Sequence, residues 1–291
     1  MPGFRAQALL DFDLPAAPQR EEELRSASPC VSACRVQAPA GNFLLLWSDA
    51  ALTLAFEATF FDLLSESRYP APPPRRAKGG ALIAMLKDDG RASAAACYGW
   101  PAGEPIDGAH ATAPQLLEIG RLLARLHHIG EAHPASVVEP VAVRKLATHL
   151  PATEDAALLR EALDLDFSAL PAGAAHGHLG PGQALFIGDR CSAVLPCGSA
   201  HNGPLVLDLA RAAVAWAIGA REPLAAVRAI ASGYQALRRL SPEERDGLYG
   251  AVRSAAAHEG ARRMLADRPD PLWPLRTVDA LGERELRNAA G

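Results

Sequence analysis

The most informative stretch of this 291-residue chain, HGHLGPGQALFIGDRCSAVLPCGSA from His176 to Ala200, sets side chains able to do chemistry at short intervals. His178 follows His176 by two positions, Gln183 follows His178 by five, and Cys197 and His201 close the group. An imidazole of ordinary pKa, about 6.5, is a general base suited to neutral pH. Imidazole and thiolate are also zinc ligands, which makes His176, His178, Cys197 and His201 a conceivable metal set. The spacing argues against it, because the chain contains neither a paired CxxC nor an HExxH. Carboxylates that could converge on the same place are Asp189 and Asp164, and Asp208 stands in the apolar run LVLDLA.

The elements that must position these residues are legible in outline. Residues 30–37 and 42–48 read as a hairpin around APAG, and residues 81–86 and 92–98 as two more strands flanking KDDGR. Between the pairs, residues 52–66 read as a helix with Leu52, Phe56, Phe60 and Leu63 on one face, and PAPPP at 70–74 as an extended crossing. The acidic and basic cluster from Arg20 to Arg25 reads as a solvated helix face. PAGEPIDG marks a boundary near residues 99–108. Beyond it, Thr112 and Gln115 have capping-box spacing ahead of an apolar stripe of Leu116, Ile119, Leu123 and Leu126. Further helices are expected at about 140–149, 153–165, 205–219, 222–240 and 242–267, with the loop and a hairpin over 176–197 between them. His127 and His128 suit a helix C-terminus, where a cation meets the macrodipole.

The stretch from His176 resembles the catalytic segment of the aminoglycoside phosphotransferase and homoserine kinase family, which reads roughly HGDLHPGN, a strand, a turn, then IDFGDA. The order of EIGRLLARLHHIG, this stretch and GPLVLDLARAAVAWAIG extends the resemblance over nearly the whole chain. It implies an α+β, protein-kinase-like bilobal fold, with a small β-rich N-lobe over residues 1–98 and a mostly helical C-lobe over residues 99–291. It also implies where the catalytic groups belong. His178 replaces the Asp that accepts the substrate hydroxyl proton, Gln183 the metal-binding Asn, and Pro196 the main Mg²⁺-binding Asp. Cys197 and Ser199 flank the retained Gly198. His176 and Asp208 match scaffold positions of the family, the latter bracing the catalytic loop from the helix behind it.

The nucleotide-binding positions of the N-lobe are altered too. Leu46, in NFLLLWS, stands where the family carries a Lys or Arg, and Glu57 matches the partner Glu of the following helix but is expected to be an exposed helical residue. No glycine occurs between Gly3 and Gly41, so SASPCVSACRVQ lacks the residue that lets a loop close over phosphates. The CxxxC of Cys30 and Cys34 reads as two small packed side chains on one strand face.

These replacements lead to the expectation of a pseudokinase, a binding or regulatory protein without cofactor whose partner is a small metabolite or another protein. The alternative is a divergent phosphotransferase that uses ATP and Mg²⁺ on a small hydroxyl compound such as homoserine or an amino sugar. A purely structural subunit is the third reading. Net charge of −4 and the absence of basic runs with interleaved aromatics argue against nucleic acid. No apolar run reaches the roughly 18 residues of a membrane span. MPGFRAQALLDFDLP has no signal-peptide pattern, and an odd five cysteines fit a reducing cytoplasm.

Overall fold

The computed structural model describes residues 2–15, 17–24, 31–88, 91–133 and 146–290. Helix α1 (Pro2–Asp11) leads into strands β1 (Arg20–Leu24), β2 (Val31–Ala38) and β3 (Gly41–Ser48), then α2 (Ala51–Glu66), β4 (Pro74–Arg75), β5 (Ala84–Asp88) and β6 (Arg91–Gly99). The strands form one antiparallel sheet in the order β1-β2-β3-β6-β4, with β5 also pairing β6. Side chains alternate across a strand, and in GNFLLLWS this sends Phe43 and Leu45 to the face covered by α1, where Phe4, Leu9 and Phe12 are buried. Leu44 and Leu46 point the other way, into the main core with α2 and the C-lobe. A strand buried on both faces has no reason to alternate polar residues, which explains the continuous apolar run.

Three expectations are corrected here. The cluster expected as a helix face at Arg20 is the edge strand β1, its Arg20 opposite Gln37 and its Leu24 opposite Ala33. Its charges suit an exposed sheet edge, which they protect from further pairing. Leu52 does not share the buried face of α2: it is 79% exposed, while Leu54, Phe56, Phe60, Phe61 and Leu64 are buried. The strand expected at 81–86 lies at Ala84–Asp88. Cys30, Arg25, the tip of KDDGR and most of the helix expected at 140–149 lie outside the described residues; residues 146–149 form a helical turn.

Short strand β7 (Glu104–Pro105) carries the chain into the C-lobe, where α3 (Ala113–Gly130) starts with the Thr112–Gln115 capping box. There follow α4 (Glu154–Leu163), β8 (Ala172–Ala175), β9 (Ala184–Ile187), β10 (Arg190–Val194), β11 (His201–Pro204), α5 (Leu205–Ala217), α6 (Pro223–Gln235), α7 (Pro242–Leu265) and α8 (Trp273–Ala290), the last kinked at Gly282. Helices α1 and α8 had no counterpart in the sequence reading. Two small antiparallel sheets, β10-β9-β7 and β11-β8, hold the segment 172–204 against α3 and α5.

Candidate functional site

The loop after β8 is anchored from below by one carboxylate. Asp208, in the first turn of α5, is 1% exposed. Its Oδ2 accepts the His176 N–H at 2.8 Å and its Oδ1 accepts the Gly177 N–H at 2.8 Å. The same Oδ2 lies 3.0 Å from His127 Nε2, and His127 Nδ1 lies 2.8 Å from the Tyr234 hydroxyl. Arg238 donates to that hydroxyl at 3.0 Å and grips Glu244 with both terminal nitrogens. A carboxylate only accepts, so the proton on Nε2 is donated to Asp208, and the His127 ring joins that carboxylate to the Tyr234 hydroxyl. Burial opposes charge on Asp208, yet His127, His176 and His201 hold its carboxyl well below the usual range. His127 is thus a buried link in this chain and not a free cation at a helix end.

The loop itself leaves no freedom at His176. The ring is fully buried, with Nε2 donating to the Leu195 carbonyl at 3.0 Å and Nδ1 accepting the His178 N–H at 3.4 Å. Gly177 has a positive φ of 86°, and a Cβ there would sit 2.1 Å from the Ser199 carbonyl oxygen. Trp216 donates to the Leu179 carbonyl at 3.0 Å. Gly198 is equally constrained, with φ of 72° and Val31 side-chain atoms 2.5 Å from where a Cβ would be.

Glu57 is the largest departure from the sequence expectation. It is 0% exposed, not a solvated helical residue. Its Oε1 accepts N–H groups from Cys197 at 3.1 Å and Ala200 at 3.4 Å, and both oxygens reach the Gly198 N–H, at 2.9 and 2.8 Å. The turn 197–200 would otherwise bury unpaired backbone donors, so the carboxylate is an anchor between α2 and the loop. Burial outweighs these hydrogen bonds and pushes its pKa up to about 7.

Leu46, Gln183 and Pro196 come together in one cleft of about 180 Å³ between the sheet and the loop, with Leu44, Trp100 and Cys197 around them. None of its described lining residues carries a charge. Mg²⁺ takes oxygen ligands in near-octahedral array, usually with a carboxylate among them, and this donor set does not fit Mg²⁺ or a triphosphate. Among the described residues no three His, Cys, Asp or Glu side chains could together hold a metal ion, the zinc set included. Asp189 is exposed and accepts from Thr112 Oγ1, and Asp164 is exposed at the end of α4, so neither reaches the cleft.

His178 is half-buried, its Nε2 3.4 Å from Arg262 Nη1. Packing around the ring, then the Arg262 charge, push its pKa down to about 3. Arg211 on α5 and His258 and Arg262 on α7 gather on the same side of the loop, and the sequence reading missed them. The signal was there for Arg211: it follows Asp208 by three residues in an otherwise apolar helix and so shares its face.

The sequence pattern described as the phosphotransferase enzyme family matches residues 43–242. The chain belongs to that family. A homoserine kinase of Rhodopseudomonas palustris (strain BisB18) is 30% identical over 240 residues, covering 74% of this chain and 70% of that protein. Among solved structures of the same fold, amicoumacin kinase hAmiN in complex with AMP-PNP, Ca²⁺ and Ami gives a TM-score of 0.71 at 13% identity, covering 94% of this chain and 89% of that one. A microcompartment-associated aminopropanol kinase gives 0.66 at 14% identity, covering 98% and 97%. These likenesses establish for this phosphotransferase-family chain the α+β kinase-like fold, its antiparallel sheet and its helical C-terminal part. Among the described residues no helix is long and apolar enough to cross a membrane.

Proposed function

We propose that this phosphotransferase-family protein works by binding and does not carry out Mg·ATP chemistry. The observation that carries the reading is the uncharged cleft, where Leu46, Gln183 and Pro196 occupy the positions that the family resemblance assigns to a cation, a metal-binding amide and a metal-binding carboxylate. Phosphoryl transfer depends on positioning and on neutralising charge with metal ions and cations. A cleft without either removes the largest contribution to the rate. His178 does not restore it, since a base held at a pKa of about 3 by burial first and then by Arg262 has little drive to take a hydroxyl proton. The retained anchors, Asp208 and Glu57, support a folded loop that serves recognition.

The test is an ADP-release assay with Mg·ATP and, as acceptors, homoserine, aminopropanol and an amino sugar. No ADP above the no-protein rate is expected with any acceptor. Acceptor-dependent ADP formation that is lost in His178→Ala would replace this reading with that of a divergent kinase.

A further inference from the structure

Beside the loop, two guanidiniums and three imidazoles converge, and among the described residues the carboxylates near them are Asp208 and Glu259. Arg211 is 6% exposed, makes no hydrogen bond or ion pair with any described residue, and buries its Nε without a partner. His258 is 7% exposed and likewise has no hydrogen-bond partner among the described residues. His201, 3% exposed, places Nδ1 2.9 Å from the Ser199 carbonyl, which can only accept, so its proton is on Nδ1 and Nε2 is unused by that bond. Arg262 stands at the edge with Nη1 near His178 Nε2, and Glu259 lies 3.7 Å from it. The other carboxylate nearby, Asp208, is already engaged by His127 and two loop amides.

These groups act on one another. Burial first, then Arg211, Arg262, His178 and His201 together, hold His258 well below its ordinary pKa, and burial followed by Arg211 brings His201 to about 4. A buried guanidinium without a hydrogen bond is costly and is satisfied by an anion. Nitrogen donors reach this place from two helices, Arg211 on α5 and Arg262 and His258 on α7, with the unprotonated Nε2 atoms of His178 and His201 beside them. That arrangement matches the three terminal oxygens of a tetrahedral phosphate better than a planar carboxylate, and guanidinium pairs with phosphate through two parallel hydrogen bonds.

We infer that Arg211 and His258, with Arg262 at the mouth and His178 and His201 lining the place, form a binding site for a phosphate group, carried by a small monoester or free in solution. The site occupies the place where the family resemblance puts a catalytic carboxylate. It therefore takes an anionic ligand where a kinase would take a neutral hydroxyl acceptor. This goes beyond the proposed function by naming the ligand class, and it does not depend on the fate of the nucleotide cleft.

The experiment is thermal unfolding of the full chain with inorganic phosphate, glycerol 2-phosphate or succinate at constant ionic strength, without nucleotide. Wild type should gain several degrees with millimolar phosphate or monoester, as expected for a ligand that binds only the folded state. A response to the monoester alone identifies a metabolite site, and one to inorganic phosphate alone a free-phosphate site. Arg211→Met, which keeps the volume and removes the charge, should melt no lower than wild type without anion and show affinity at least tenfold weaker. If Arg211→Met fails to fold, Arg262→Met at the half-buried edge carries the same comparison. Equal shifts in wild type and variant, no shift with either phosphate, or an equal response to succinate would each overturn the site. Failure here leaves the loss of phosphoryl transfer standing, because the ADP-release assay reads the nucleotide cleft and this experiment contains no nucleotide.

Discussion

Below the loop, Asp208, His127, Tyr234, Arg238 and Glu244 form a line in which each donor meets an acceptor, while above it the cleft of Leu46, Gln183 and Pro196 offers one side-chain amide. Both regions touch the same stretch of chain, His176 to Ala200. Bracing the loop and equipping it for chemistry are therefore separate tasks for this fold: the first needs buried, fully paired polar groups and the second needs unpaired charges facing a cleft. Here the first is complete.

The sharpest way to break the comparison is to cut the brace. Asp208→Ala leaves two loop amides and the His127 N–H buried without an acceptor, and should cost about 3–5 kcal/mol in urea unfolding, the range for breaking a buried charged network. Glu57→Ala removes the acceptor for three backbone donors and should cost about 2–4 kcal/mol by the same measurement. Trp216→Phe loses the hydrogen bond to Leu179 and leaves a cavity at a fully buried site, and about 2–3 kcal/mol is expected. Gln183→Ala in the cleft should move stability by less than about 0.5 kcal/mol. A cleft substitution as costly as the brace would erase the distinction.

Glu57 also gives the comparison a pH signature. Its folded pKa of about 7 lies above its ordinary value near 4.5, so between those limits the native state binds more protons than the unfolded one and this group's contribution falls as pH rises. His178 and His201 act oppositely: their folded values near 3 and 4 lie below the ordinary 6.5, and their contribution falls as pH drops through that window. The Glu57 effect is isolated by subtracting the profile of Glu57→Gln from that of wild type. The difference should move against wild type from pH 4.5 to 7 and level off above it.

Which parts of this could be read from the sequence follows from range. Local signals located the Thr112–Gln115 cap, the β2–β3 hairpin and the apolar stripe of α3, all set by residues a few positions apart. Motif order brought Leu46, Gln183 and Pro196 to one site because the family resemblance carries long-range information that periodicity lacks. Glu57 was misjudged because its partners are the amides of residues 140 and more positions later, and no local pattern marks a carboxylate as buried. The edge strand at Arg20 was read as helix because charged residues carry no period-2 signal once one face is solvent and the other only half-buried. His258 escaped for the same reason as Glu57, since no local pattern marks it and only the packing of α5 and α7 against the loop sets it beside Arg211.

The central claim, that the cleft holds no Mg·ATP site, is tested most directly by thermal unfolding of Arg211→Met with ATP, with and without Mg²⁺, so that the phosphate-binding cluster cannot respond in its place. The account predicts the same melting temperature in both conditions and in buffer alone. A rise that requires Mg²⁺ and nucleotide together would contradict it, because it would demand metal ligands where Gln183 and Pro196 now stand.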